Sequence, residues 1–333
     1  MNTSRHRQHL LLAAGLLGAA LLGLIGTTAW LLTQSRSTAQ PLPVLEAINE
    51  GAPHFVFSIN GPRRPLGVAV APAGDRVYVT ESDGEHETRI YDRQGAFLGA
   101  LNPPDSTPAT RTPVYVAASP TTGAVYVSDR QSGGIDIYAA SGEWTGFVRN
   151  PDDPNTAWAP LGLGFDDEGN LLVTDVAATG QRILQLAPDG ALQQRFDTPL
   201  AASGPLAYPN GIAADSHGRV LVADSNNGRV LVVGPTTGVT LTLGRGGFGP
   251  ALGLPRGVAV DDAGRVYVAD ATNHHVMIYS LGDSPDTARV LASIGDEGIG
   301  DGEFEFPNGV AIDRSARLYV ADRENDRVQV WTY

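Results

Sequence analysis

Between Pro65 and Tyr333 one pattern recurs six times. A proline opens each copy, at Pro65, Pro113, Pro160, Pro209, Pro255 and Pro307. A variable residue and, in five copies, a glycine follow, then a short apolar run and a glycine-containing turn. A second run ends on an acid: Val77-Tyr78-Val79-Thr80-Glu81 in the first copy, then runs ending at Asp129, Asp175, Asp224, Asp270 and Asp322. The opening prolines lie 48, 47, 49, 46 and 52 residues apart. A period in the forties built from short β-branched and aromatic runs reads as one propeller blade per copy. No stretch of the repeat shows helical periodicity, which excludes a helical solenoid.

Each copy thus predicts strand A, a tight turn, strand B, a polar loop, strand C and a weaker strand D. Strands A and B are almost continuously apolar, as expected for a sheet covered on both faces by neighbouring sheets. The sixth copy stops after strand C at Tyr333, one strand short. Upstream of the first copy, His54-Phe55-Val56-Phe57-Ser58-Ile59 is an isolated strand-like run, expected to supply that outer strand and close the ring. The fold class that follows is all-β, a six-bladed β-propeller with four-stranded antiparallel blades.

The run Pro307-Asn308-Gly309-Val310-Ala311-Ile312-Asp313, followed by Leu318-Tyr319-Val320-Ala321-Asp322, resembles the NHL repeat. The glycine-rich stretch Gly295 to Gly302, with Phe304 and Phe306 before Pro307, resembles that family's inter-blade loop. The resemblance runs from Gly61 to Trp331. Copy two departs from it, with Tyr115 where glycine is expected, and copy one has Glu81 for the aspartate. NHL propellers mostly bind proteins, while a few bind RNA or act as lyases, so the resemblance implies an architecture and leaves function open.

The N-terminal segment has a different character. Leu10 to Leu32 is an uncharged run of 23 residues, long enough to span a bilayer. Arg5 and Arg7 precede it and only Arg36 follows closely, which predicts a cytoplasmic N-terminus. The organisation expected is a tail over 1–9, a signal-anchor helix over 10–32, a linker over 33–52 and the propeller over 53–333, outside the cytoplasm and tethered to the plasma membrane. Ser37-Thr38-Ala39 offers the competing reading of a cleaved signal peptide.

Composition narrows the partners. All 23 basic residues are arginine, against 36 acids, for a net charge of −13. The all-arginine, Ala- and Gly-rich usage resembles a protein from a GC-rich bacterial genome. An acidic surface disfavours nucleic acid. With no cysteine, disulfides, thiolate metal sites and cysteine nucleophiles are excluded.

The strand-B acids have two readings: a rim of cation ligands, or acceptors for backbone N–H groups of their own loops, with Arg89, Arg182, Arg229 and Arg327 as partners within the blade. Recurrence in every blade favours the second. The residues between proline and glycine are expected around the channel mouth. Leu66, Val114 and Leu161 are apolar there, and Asn210, Arg256 and Asn308 form a polar crescent on consecutive blades that suits an anionic or amide-bearing ligand. Trp158, in the loop from Asn150 to Pro160, is expected as an exposed contact residue. His274 and His275 read as a surface loop pair, and no set of histidines converges as a catalytic zinc site requires.

The reading that follows is a non-catalytic scaffold. It binds a protein, peptide or envelope ligand through Asn210, Arg256, Asn308 and Trp158, with no cofactor and no catalytic residue. The alternative is a metal-assisted lyase or a lactonase or hydrolase at the channel mouth, with Asn210, Asn308 and nearby acids imitating a calcium site.

Overall fold

In a computed structural model of the chain, the described residues are 51–333 except 157, 179, 197–202, 236–237, 283 and 285. They form six four-stranded antiparallel sheets. The anchor expected over 10–32 lies outside the described residues, among which no helix is long and apolar enough to cross a membrane.

Blade 1 runs Pro65–Val70, Arg76–Glu81, Thr88–Asp92 and Phe97–Leu101, from the channel outward, and blades 2 to 5 repeat this order. Blade 6 has Pro307–Ile312, Leu318–Asp322 and Arg327–Thr332, and its fourth strand is His54–Asn60, antiparallel to Arg327–Thr332. Ile59 faces Val328 in this pairing and is buried with Val328, Val330, Tyr319 and Tyr91, so the closing strand is part of the core between blades 6 and 1. Burying a side chain of this kind stabilises by about 1.5–3 kcal/mol.

One local irregularity recurs in every blade. The opening proline pairs with the strand-B acid, as in Pro65 with Glu81 and Pro307 with Asp322. Pairing then lapses and resumes at the third residue, as in Val68 with Val79 and Val310 with Val320. Proline suits this position because it has no N–H to give the ladder. The lapse frees the next two residues from strand B, and the neighbouring blade explains the glycine. A Cβ on Gly257 would lie 2.5 Å from the Asn308 carbonyl oxygen, and one on Gly309 would lie 2.5 Å from that of Leu66. At these glycines the inner strands of adjacent blades pass at backbone distance, which leaves no room for a side chain directed at the neighbour.

Hydroxyls reinforce this contact. Thr80 donates to the Val114 carbonyl at 2.7 Å, Ser128 to that of Leu161 at 2.7 Å, and Thr174 to that of Asn210 at 2.9 Å. Each crosses from one blade to the next, and such a bond is worth about 1 kcal/mol net.

Candidate functional site

The lapse in pairing after each proline aims the variable residue at the axis, and these residues meet in a cavity of about 470 Å³ at one mouth of the channel. Leu66, Val114 and Leu161 line one side, and Asn210, Arg256 and Asn308 the other. Three of the four residues expected to bind ligand are therefore brought together. Trp158 is the exception and corrects the reading of an exposed contact. It is only 5% exposed and packs with Tyr115, Ile135 and Leu161. In the same loop Asp152 pairs with both Arg182 and Arg195.

The floor of the cavity is the residue that breaks the repeat. Tyr115 occupies the glycine position of blade 2, and its side chain crosses the channel to blades 5 and 6. Its hydroxyl lies 3.2 Å from Asn308 Oδ1 and 3.3 Å from the Arg256 carbonyl oxygen. Burial pushes the phenol's pKa up, outweighing the nearby Arg256, so the group stays a neutral donor.

Two further tiers were missed by sequence reasoning. The residue after the strand-B acid supplies Ser82, Arg130, Ala271 and Arg323; the residue before the proline supplies Thr112, Tyr208, Leu254 and Phe306. Both tiers sit at fixed offsets in the repeat, so register alone was the available signal. Tyr208 and Phe306 hold positive φ, at 57° and 52°, a sparsely populated conformation of the kind that concentrates at binding sites. The Arg256 guanidinium stands 5.9 Å from the centre of the Tyr208 ring.

The amides keep capacity for a ligand. Asn210 Nδ2 donates to Ser225 Oγ at 2.8 Å, fixing the side chain while its Oδ1 has no partner among the described residues. Asn308 is fixed through Oδ1, and its Nδ2 has none.

The strand-B acids do not reach this cavity. Asp224 accepts from Ala207 N at 2.7 Å and pairs with Arg229 at 2.7 Å; Asp322 accepts from Glu305 N at 2.7 Å and pairs with Arg327 at 2.7 Å. Each clasps the segment that leads into its own inner strand. They position the mouth from behind and are not a rim of cation ligands. His274 also departs from expectation: it is 9% exposed, with its ring 4.7 Å from that of Phe306, whereas His275 lies 3.6 Å from Asp270.

The fold and its blocked channel define a six-bladed β-propeller with a one-ended axial pocket. The NHL repeat pattern matches residues 206–233, 252–279 and 304–331, within blades 4, 5 and 6. Blades 1, 2 and 3 lie outside those matches. No curated protein sequence is similar to this chain. Among solved structures, virginiamycin B lyase from Staphylococcus aureus, in a catalytically inactive form determined with quinupristin, is similar with a TM-score of 0.60 at 15% identity, over 84% of this chain and all of that one. A streptogramin B lyase is similar with a TM-score of 0.56 at 12% identity, over 83% of this chain and 96% of that one. Hydrazine synthase from Kuenenia stuttgartiensis gives 0.55 at 15% identity, over 80% and 82% of the two chains. At these identities the likeness is one of fold.

Proposed function

We propose that this protein is a non-catalytic binding propeller, tethered to the membrane through residues 10–32, that takes a protein, peptide or envelope ligand into its channel mouth. The observation that carries this reading is the composition of the mouth. Polar groups with free hydrogen-bonding capacity converge there, yet no carboxylate or imidazole among the described residues lines it, and the tyrosine on its floor is held neutral. Bond-breaking chemistry by general acid and base needs a group that titrates near the working pH within reach of the substrate. Recognition needs only shape, donors and acceptors held in place, and these are what the repeat supplies.

The test is site-directed photocrosslinking from the full chain in its own membrane. A benzophenone amino acid is placed at Phe306 in the mouth and, separately, at Thr121 on a turn remote from it. A discrete adduct from position 306 alone is the expected result. Equal capture from both positions, or none from 306, would overturn the proposal.

A further inference from the structure

From the mouth's charge and its two unlike walls we infer that the ligand enters as an amphipathic anion, an oxyanion head on an apolar body. This rests on the binding role proposed above and names its ligand class.

Three arginines from three blades, Arg130, Arg256 and Arg323, line the cavity, and no acid among the described residues does. In a chain with 36 acids and 23 arginines such a concentration runs against the overall charge. Arginines elsewhere in the fold show the usual outcome: Arg182, Arg219, Arg229, Arg265 and Arg327 each sit against an aspartate. Arg130 and Arg256 pair with no acid among the described residues. Arg323 spends one amino group on Glu324 at 2.9 Å, but its Nε is buried and has no partner. Arg130 and Arg256 therefore keep their guanidinium donors for an oxyanion that enters the cavity. Burial, followed by the like charges of Arg64 and Arg256, holds the Arg323 pKa below the usual guanidinium value against the pull of Glu324. An arriving anion relieves that repulsion.

The opposite wall specifies the rest of the ligand. Leu66, Val114 and Leu161 stand on three consecutive blades and present only alkyl surface. Asn308, with a free amide N–H beside Arg256, belongs to the charged wall and suits a second oxygen of the head. Tyr115 blocks the channel beneath, so the ligand docks head and body side by side and does not thread through. The volume of about 470 Å³ suits a small molecule or the end of a larger one.

Carboxylate and phosphate heads share this chemistry, and calorimetry separates them. The full chain in lipid nanodiscs, with empty nanodiscs as blank, is titrated with 4-phenylbutyrate, 4-phenylbutyl phosphate, 4-phenylbutylamine, 4-phenylbutanol, acetate and inorganic phosphate. At least one phenylbutyl anion should bind about tenfold or more tightly than the amine and the alcohol, and than its own truncated head. Arg256→Gln and Arg323→Gln should each weaken it by about tenfold. Arg130→Gln, at an exposed residue without partners, is the second variant should either fail to fold, and should weaken binding and flatten its salt dependence. Which anion binds more tightly identifies the head. Amine or alcohol binding as tightly overturns the inference, as does equal binding of the bare heads, or of all variants. Absence of any anion binding while the position-306 adduct persists would sink this inference and leave the binding role standing.

Discussion

The hydroxyl of Tyr115 lies 3.2 Å from Oδ1 of Asn308, joining blade 2 to blade 6 across the channel. Five blades carry glycine at the position of Tyr115, so this bond exists only because one copy departs from the pattern. It does two jobs: it blocks the channel, and it fixes the amide of Asn308 so that its N–H side is left for a ligand.

Tyr115→Phe removes the hydroxyl alone and should cost about 1 kcal/mol in chemical denaturation, while loosening Asn308. Tyr115→Gly restores the repeat consensus, yet it should destabilise by about 3–5 kcal/mol, because a buried aromatic is replaced by a void. A stabilised glycine variant would show that the tyrosine is not part of the packed floor.

Replacing the inner-strand glycines tests the close approach of neighbouring blades. Gly257→Ala places a methyl 2.5 Å from the Asn308 carbonyl and should cost about 1–3 kcal/mol or more, with a shifted mouth. Gly146→Ala, in the outer strand Trp144–Val148 of blade 2, meets nothing within 4 Å and should be nearly neutral. Comparable losses at both sites, measured by thermal melting, would refute the account.

The closing strand contributes through Ile59, buried between the last blade and the first. Ile59→Ala should lose about 2–5 kcal/mol, and deletion of residues 54–60 should lower the melting temperature further than any single core substitution. An unchanged melting curve on deletion would mean that the ring does not depend on this strand.

Asp136, in strand C of blade 2, is 3% exposed and accepts from Trp144 Nε1 at 2.9 Å. Burial, chiefly, pushes its pKa up to about 6; Trp144 opposes the shift and Asp129 adds to it. Because the folded value lies above the unfolded one, ionisation opposes folding. The cost appears as pH rises past the ordinary carboxylate range and is complete above about 6. Asp136→Asn should therefore stabilise at pH 8 by about 2–3 kcal/mol and flatten the stability profile between pH 4 and 6. A variant with the same profile as the parent would exclude this carboxyl as its source.

The proposed topology is testable because the chain has no cysteine. Ala263→Cys, on an exposed turn, should react with a membrane-impermeant maleimide on intact cells and co-fractionate with membranes after alkaline extraction. Labelling only after lysis would place the propeller on the other side.

The blade count, the strand order within each blade and the crescent of Asn210, Arg256 and Asn308 could be read from the chain, since all three follow from local pattern and register. Alternation and turn chemistry act over a few residues, and six copies of a sheet that cannot cover its own faces leave few arrangements besides a ring. What the ring then did with individual side chains was decided by tertiary structure. Trp158 turned inward against the core; His274 was buried against Phe306; Tyr115 became the floor of the site; Arg130 from across the ring and Arg323 from the next blade met Arg256. These outcomes depend on contacts between residues up to 193 positions apart, such as Tyr115 and Asn308. A repeat determines where each blade points its residues, but only closure of the ring determines which residues from different blades share a space, and whether a charge there finds a partner or is left for a ligand.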